Sequence, residues 1–123
     1  MEQLQVTIVR VYEAPSRLSN EHRVLVDRLW PRGLRKEEID FDEWVKDAAP
    51  STELRRWYGH LPERFDEFAH RYRFELKRNP AAAVVTRLRA DARTSHLILL
   101  TATRDIARSG AEVLRSVLDG DVD

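Results

Sequence analysis

A small single-domain α/β sandwich, with three to four mostly parallel strands and helices packed on them, is the fold this chain predicts. Leu97–Leu100 is an unbroken apolar run, the pattern of a strand buried on both faces of a parallel sheet. Phe65, Phe68, Ala69, Tyr72 and Leu76 fall along one face of a helix. Hydrophobic residues, 42% of the chain, gather in such periodic runs, which argues against disorder although 34% of residues are charged.

Leu4, Val6 and Ile8 alternate with Gln5 and Thr7, and Val9 and Val11 follow, so the first strand is expected over residues 4–12. Residues 13–22 read as a loop with room for one helical turn. Arg23–Leu29 is apolar and β-branched enough for a second strand, broken by Pro31 and Gly33, with a short helical turn over 35–39. The stretch 41–47 fits strand or helix and leans to strand. After Pro50, Ser51 or Thr52 with Glu53 marks a helix start, and Leu54, Trp57 and Tyr58 make one apolar face before Gly59 ends it. Pro62 suits the first position of the long helix. Asn79 reads as the cap of a further helix with Pro80 at its first position and Val84, Val85 and Leu88 inward. The buried strand spans 96–101. After the loop 103–105, a last helix carries Val113, Leu114, Val117 and Leu118 and ends at Gly120. The buried strand followed by a helix implies a parallel neighbour.

At 123 residues the chain is one domain, 1–123, without repeat or linker. The absence of cysteine excludes disulfides, a thiolate nucleophile and a cysteine-bound metal. The N-terminus lacks the pattern of a signal peptide, and the longest apolar run is too short to cross a bilayer, so a cytoplasmic protein without membrane contact is expected. Zero net charge gives no global field toward nucleic acid. Locally the charge is uneven. Residues 23–36 hold five basic groups against Asp27, and residues 37–53 hold seven acids against Lys46.

Three stretches suit a site. Arg28-Leu29-Trp30-Pro31-Arg32-Gly33 lies where a strand should end, the usual place for ligands in open α/β sheets. Its arginines offer forked donors to phosphate or carboxylate, Trp30 a stacking surface and Gly33 backbone freedom. The same string also reads as a tight turn, with Trp30 in the core and the arginines paired to the acidic stretch 37–47. Pro50-Ser51-Thr52-Glu53-Leu54-Arg55 is a helix start able to hold an anion, or simply a cap. Thr101-Ala102-Thr103-Arg104-Asp105 follows the buried strand and suits a cleft floor, or a surface loop with a local ion pair. His60 sits at a helix end. His22, His70 and His96 show no metal-ligand spacing, and no metal site is expected. No Gly-rich phosphate loop or nucleophile elbow is present.

These stretches together resemble the bacterial YeaO-like proteins, domain-of-unknown-function family 488. The resemblance rests on Asp27-Arg28-Leu29-Trp30-Pro31-Arg32-Gly33, Trp44, Lys46, Ala49-Pro50-Ser51, Leu54-Arg55, Trp57-Tyr58 and His60. It continues through Phe65, Phe68, Arg71-Tyr72, Glu75-Leu76 and Leu99-Leu100…Ala102…Arg104-Asp105. It implies no established activity. It does imply that Arg28, Arg32, Ser51, Arg55, His60, Arg71, Arg104 and Asp105 occupy the family's polar motif positions. The family commonly carries His or Asn just after the Arg/Lys-Asp pair and an aromatic residue at position 101. Here Ile106 follows Asp105, and Thr101 stands at the latter position.

The expectation is therefore a binder of a phosphate- or carboxylate-bearing small molecule, nucleotides included, of unknown cofactor and reaction. Arg28, Arg32, Arg55, Arg71 and Arg104 would hold the anion with Ser51 and Gly33, and Trp30 would wall the site. His60 or Asp105 would be the acid/base in any reaction. The alternative is a non-catalytic interaction or regulatory module with a structural arginine motif. Nucleic-acid binding is the third reading, and the charge balance argues against it. Oligomeric state is left open.

Overall fold

The structure, a computed structural model, describes residues 4–120. The ends of the expected domain 1–123, residues 1–3 and 121–123, lie outside the described residues. Four strands, β1 (Val6–Arg10), β2 (Glu21–Leu25), β3 (Glu43–Trp44) and β4 (His96–Thr101), form one sheet ordered β1-β4-β2-β3. Every pair is parallel. The helices are α1 (Thr52–Tyr58), α2 (Phe65–Leu76), α3 (Ala81–Thr94) and α4 (Gly110–Leu118). None is long and apolar enough to cross a membrane.

The expected small α/β sandwich is thus a two-sided sheet with unlike covers. Alternation along the strands sends Val24, Val26, Leu97 and Leu99 toward the helices, where they meet Leu54, Tyr58, Phe68, Tyr72, Leu88 and Leu114. Leu25, Ile98 and Leu100 point the other way, under a cover of loop residues that includes Trp30, Ile39 and Phe41. Helices therefore seal one face and loops the other, which leaves β4 buried on both.

Local chemistry explains the element ends. Ser51 Oγ caps α1 by accepting the Leu54 N–H, and Gly59 ends the helix at φ 55°, a left-handed conformation that glycine adopts without strain. Ser109 Oγ caps α4 by accepting the Glu112 N–H. Several expected elements shift. The first strand is shorter than 4–12 and ends in a 3-10 turn, Val11–Glu13. β2 lies ahead of the expected 23–29, because Glu21 and His22 pair with His96 and Leu97. It stops after Val26 donates to the Leu100 carbonyl, where the Asp27 carboxylate turns to bond the end of β4. The segment 41–47 keeps two strand residues before a 3-10 turn at Lys46–Ala48. The helix from Pro62 opens with a 3-10 turn, Pro62–Arg64, before α2. α3 begins behind Pro80 with no side-chain cap, so Asn79 is not the cap.

The acidic stretch is paired, but mostly by distant arginines. Arg17 donates to Asp40 (2.8 and 3.0 Å) and to Asp42 (2.8 Å), and Arg87 grips both oxygens of Glu43 at 2.7 and 3.0 Å. The bonds from Arg17 hold the Asp40 carboxyl below its ordinary range. For Asp42, partial burial pushes upward, but the bonds from Arg17 and the Arg23 N–H outweigh it and the net shift is downward. A carboxylate with a lowered pKa in the fold contributes stability that is present above the ordinary value and lost as pH falls through the lowered one. Arg17→Gln is accordingly less stable than wild type at neutral pH, and the difference closes below about pH 4. Urea denaturation at stepped pH reads this directly.

Candidate functional site

A cavity of about 500 Å³ opens at the C-terminal ends of β2 and β4. This is the end of a parallel sheet where α/β proteins place ligands, and the volume lies in the small-molecule range. Its ionisable lining is Asp27, Arg28, Arg32, Arg55 and His60, and Tyr58, Phe68 and Pro50 supply apolar wall. Ser109 and Gly110 bring the positive end of the α4 dipole to the same space.

Two strand ends and one helix position these groups. Arg28 lies just past β2 and ties the chain to the α1 start, its Nε donating to the Pro50 carbonyl (2.8 Å) and Nη2 to the Ala49 carbonyl (3.4 Å). Arg32 is exposed, and its carbonyl accepts the Tyr12 hydroxyl at 2.7 Å. Arg55 stands on α1, and its Nε is buried without a hydrogen-bond partner. The Nε atoms of Arg10 and Arg73 are also unpartnered, but neither residue lines this cavity. Among the described residues no carboxylate forms an ion pair with Arg28, Arg32 or Arg55. His60 follows Gly59 with φ 57°, a left-handed backbone uncommon for a side chain of this size, and its ring lies 5.8 Å from that of Tyr58.

Asp27 is the one acid in the lining. Its Oδ1 accepts the Thr101 hydroxyl and its Oδ2 the Ala102 N–H, each at 2.8 Å. Its own carbonyl accepts the Trp44 indole N–H at 2.7 Å, so backbone and side chain are both held. Burial raises its pKa, against the lowering pull of the Ala102 N–H, Thr101 and His60. A raised carboxyl binds its proton more tightly in the folded state, so this group subtracts stability as pH rises through its own pKa.

The structure brings Arg28, Trp30, Arg32, Arg55 and His60 together with Pro50, Ala102 and Thr103 of the other two candidate stretches, and leaves Gly33, Ser51, Arg71, Arg104 and Asp105 outside the lining. Ser51 is held by Glu75, its N–H and Oγ donating to the two carboxylate oxygens at 2.9 and 2.6 Å. Gly33 is exposed with φ 82°, a turn position. Arg71 pairs with Glu67 at 2.8 Å and lies over the Trp57 ring. Arg104 is exposed, and Asp105 pairs with Arg108 at 3.1 Å. Trp30 touches the cavity from a half-buried position, donating to the Leu34 carbonyl and packing edge-on against Phe41 and Trp44. Sequence reasoning passed over Asp27, Tyr12 and Tyr58. The available signal for Asp27 was its place as the single acid in the basic stretch 23–36.

A second polar cluster lies near the opposite end of the sheet. His22, Glu43 and Asp91 place ligand-type atoms within 4.8 Å of one another, a grouping that their sequence positions do not suggest. His22 Nε2 stands 3.0 Å from Glu43 and 3.8 Å from Asp91. Arg87, paired with both Glu43 and Asp91, already supplies a cation there.

The lining can hold an anion through three guanidiniums and a helix end, and it offers one fixed acceptor. Its serine is engaged at both hydroxyl functions, accepting from Glu112 and donating to the Ile106 carbonyl, which leaves no activated hydroxyl nucleophile at that position.

Comparison with known proteins places this architecture. Residues 5–123 match the family described as the inactive DUF488-N3 subclade. The chain is 47% identical over 120 residues to uncharacterized proteins of Mycobacterium tuberculosis and Mycobacterium bovis, covering 98% of each chain. It is 36% identical over 112 residues to the uncharacterized protein YeaO of Escherichia coli, covering 90% of this chain and 94% of the other. No solved structure matches. The chain belongs to the YeaO-like DUF488 family, within its inactive DUF488-N3 subclade.

Proposed function

We propose that this protein binds a phosphate- or carboxylate-bearing small molecule, nucleotides included, in the arginine-lined cavity and holds it without turnover. The observation that carries the reading is Arg55, whose buried Nε has no partner in a wall where none of the three arginines is paired to a carboxylate. A buried donor left unmade costs about 1–3 kcal/mol, more when charged, and an anion seated in the cavity recovers that cost. Binding without turnover fits the description of the matching subclade as inactive and the engaged hydroxyl of Ser109. A cysteine-free chain of this kind suits the cytoplasm.

The competing reading is a scaffold motif, and Arg28 favours it locally by strapping two backbone carbonyls. A thermal-shift series with sulfate, phosphate, ribose 5-phosphate and citrate separates the two. A ligand at 100 times its dissociation constant adds about 2.7 kcal/mol to wild type. Arg55→Gln folds, because its guanidinium anchors nothing, and loses that response. If none of these anions stabilises the wild type, the arginines belong to the scaffold and the binding reading falls.

A further inference from the structure

The cavity carries an acceptor that an anion without a proton to donate cannot use. Each oxygen of Asp27 spends one lone-pair direction on the end of β4, at 2.8 Å, and keeps another. No cation pairs with this carboxylate among the described residues, although three arginines line the same space. It is also fixed, since Thr101 is fully buried and the Ala102 N–H belongs to the backbone. Tyr58, Phe68 and Pro50 add apolar wall to the same cavity, whose volume of about 500 Å³ leaves room for far more than a single ion.

We propose that Asp27 is the specificity residue of this site, selecting a phosphate monoester whose organic body presents an N–H or O–H donor, as sugar phosphates and nucleoside monophosphates do. The inference rests on the anion-binding reading above. The guanidiniums take the phosphate and Asp27 accepts the donor. A ligand with the same charge but no donor meets only repulsion from the carboxylate. A hydrogen bond to a charged group contributes enough to make the preference roughly tenfold or more.

Calorimetric titration of the intact protein with inorganic phosphate, phenyl phosphate, ribose 5-phosphate and the four ribonucleoside monophosphates tests this. Phenyl phosphate supplies charge and an apolar body without a donor on that body. At least one donor-bearing probe binds wild type about tenfold tighter than phenyl phosphate. In Asp27→Asn, with circular dichroism confirming the fold, that preference collapses and phenyl phosphate binds more tightly because a like charge has gone. Wild-type titrations alone decide the point if the variant does not fold. If phenyl phosphate equals or beats every donor-bearing probe, or if a folded Asp27→Asn keeps the preference, the role of Asp27 is overturned while anion binding stands. If no phosphate binds at all, the anion-binding reading fails and takes this inference with it.

Discussion

Arg23→Met lowers the unfolding free energy by about 3–5 kcal/mol, the cost of breaking a buried pair from one side. The Arg23 and Glu21 side chains are only 3% and 7% exposed and meet at 2.8 Å. Nη2 of Arg23 also donates to the Pro15 carbonyl at 2.7 Å, which ties the loop after β1 to β2. Removing the guanidinium strands the Glu21 carboxylate, whose hydrogen bond is to Arg23, and leaves the Pro15 carbonyl without that donor. The double variant Arg23→Met/Glu21→Leu recovers most of the loss, since an apolar pair of similar volume replaces a buried ion pair at little cost. Urea unfolding of both variants at neutral pH checks this. A single-variant loss below about 1 kcal/mol would mean that the pair is solvated, as surface pairs are.

The second large effect lies under the cavity. Tyr72 is 1% exposed, packs against Phe68 and donates its hydroxyl to the Ala48 carbonyl, joining α2 to the turn that precedes α1. Burial, with the carboxylates of Asp27 and Glu75, pushes its pKa far above the ordinary phenol value, so the hydroxyl stays a donor at every working pH. Tyr72→Ala costs about 3–5 kcal/mol through the cavity it leaves. Tyr72→Phe costs about 1–2 kcal/mol, the share of an unsatisfied buried carbonyl. The same ring lies close to Gly110, where an added Cβ would stand 3.6 Å from it and 3.2 Å from Pro50. Loss of the ring therefore loosens the seam between the α1 start and α4. Tyr72→Ala is expected to weaken any anion response in parallel with stability, whereas Arg55→Gln removes the response and spares stability. Thermal unfolding with and without phosphate separates the two patterns.

Much of the fold was legible because its signals are local. Apolar runs and periodic faces identified β4 and all four helices, and Gly59 and Gly120 marked helix ends in residues that adopt positive φ. Strand limits were less legible, since pairing decides them. β2 gains Glu21 and His22 from the register with β4 and ends where Asp27 turns to Thr101.

The site divides in the same way. Residue types and their place at a strand end marked the Arg28–Gly33 string, the helix start marked Ser51 and Arg55, and the helix end marked His60, with the family resemblance pointing to the same residues. Which of these face one cavity depends on partners far along the chain. Glu75, on another helix, takes Ser51 for the α1 start, while Glu67 and Trp57 hold Arg71 on the surface. Asp27 joins the lining because the end of β4, more than seventy residues away in sequence, presents a hydroxyl and an N–H to its carboxylate. Composition and periodicity follow from short-range backbone geometry and the burial of apolar faces, so a single sequence carries them. The convergence of three arginines and one acid is set by parallel pairing between β2 and β4 and by competition for hydrogen-bond partners, and both are settled only when the chain has packed.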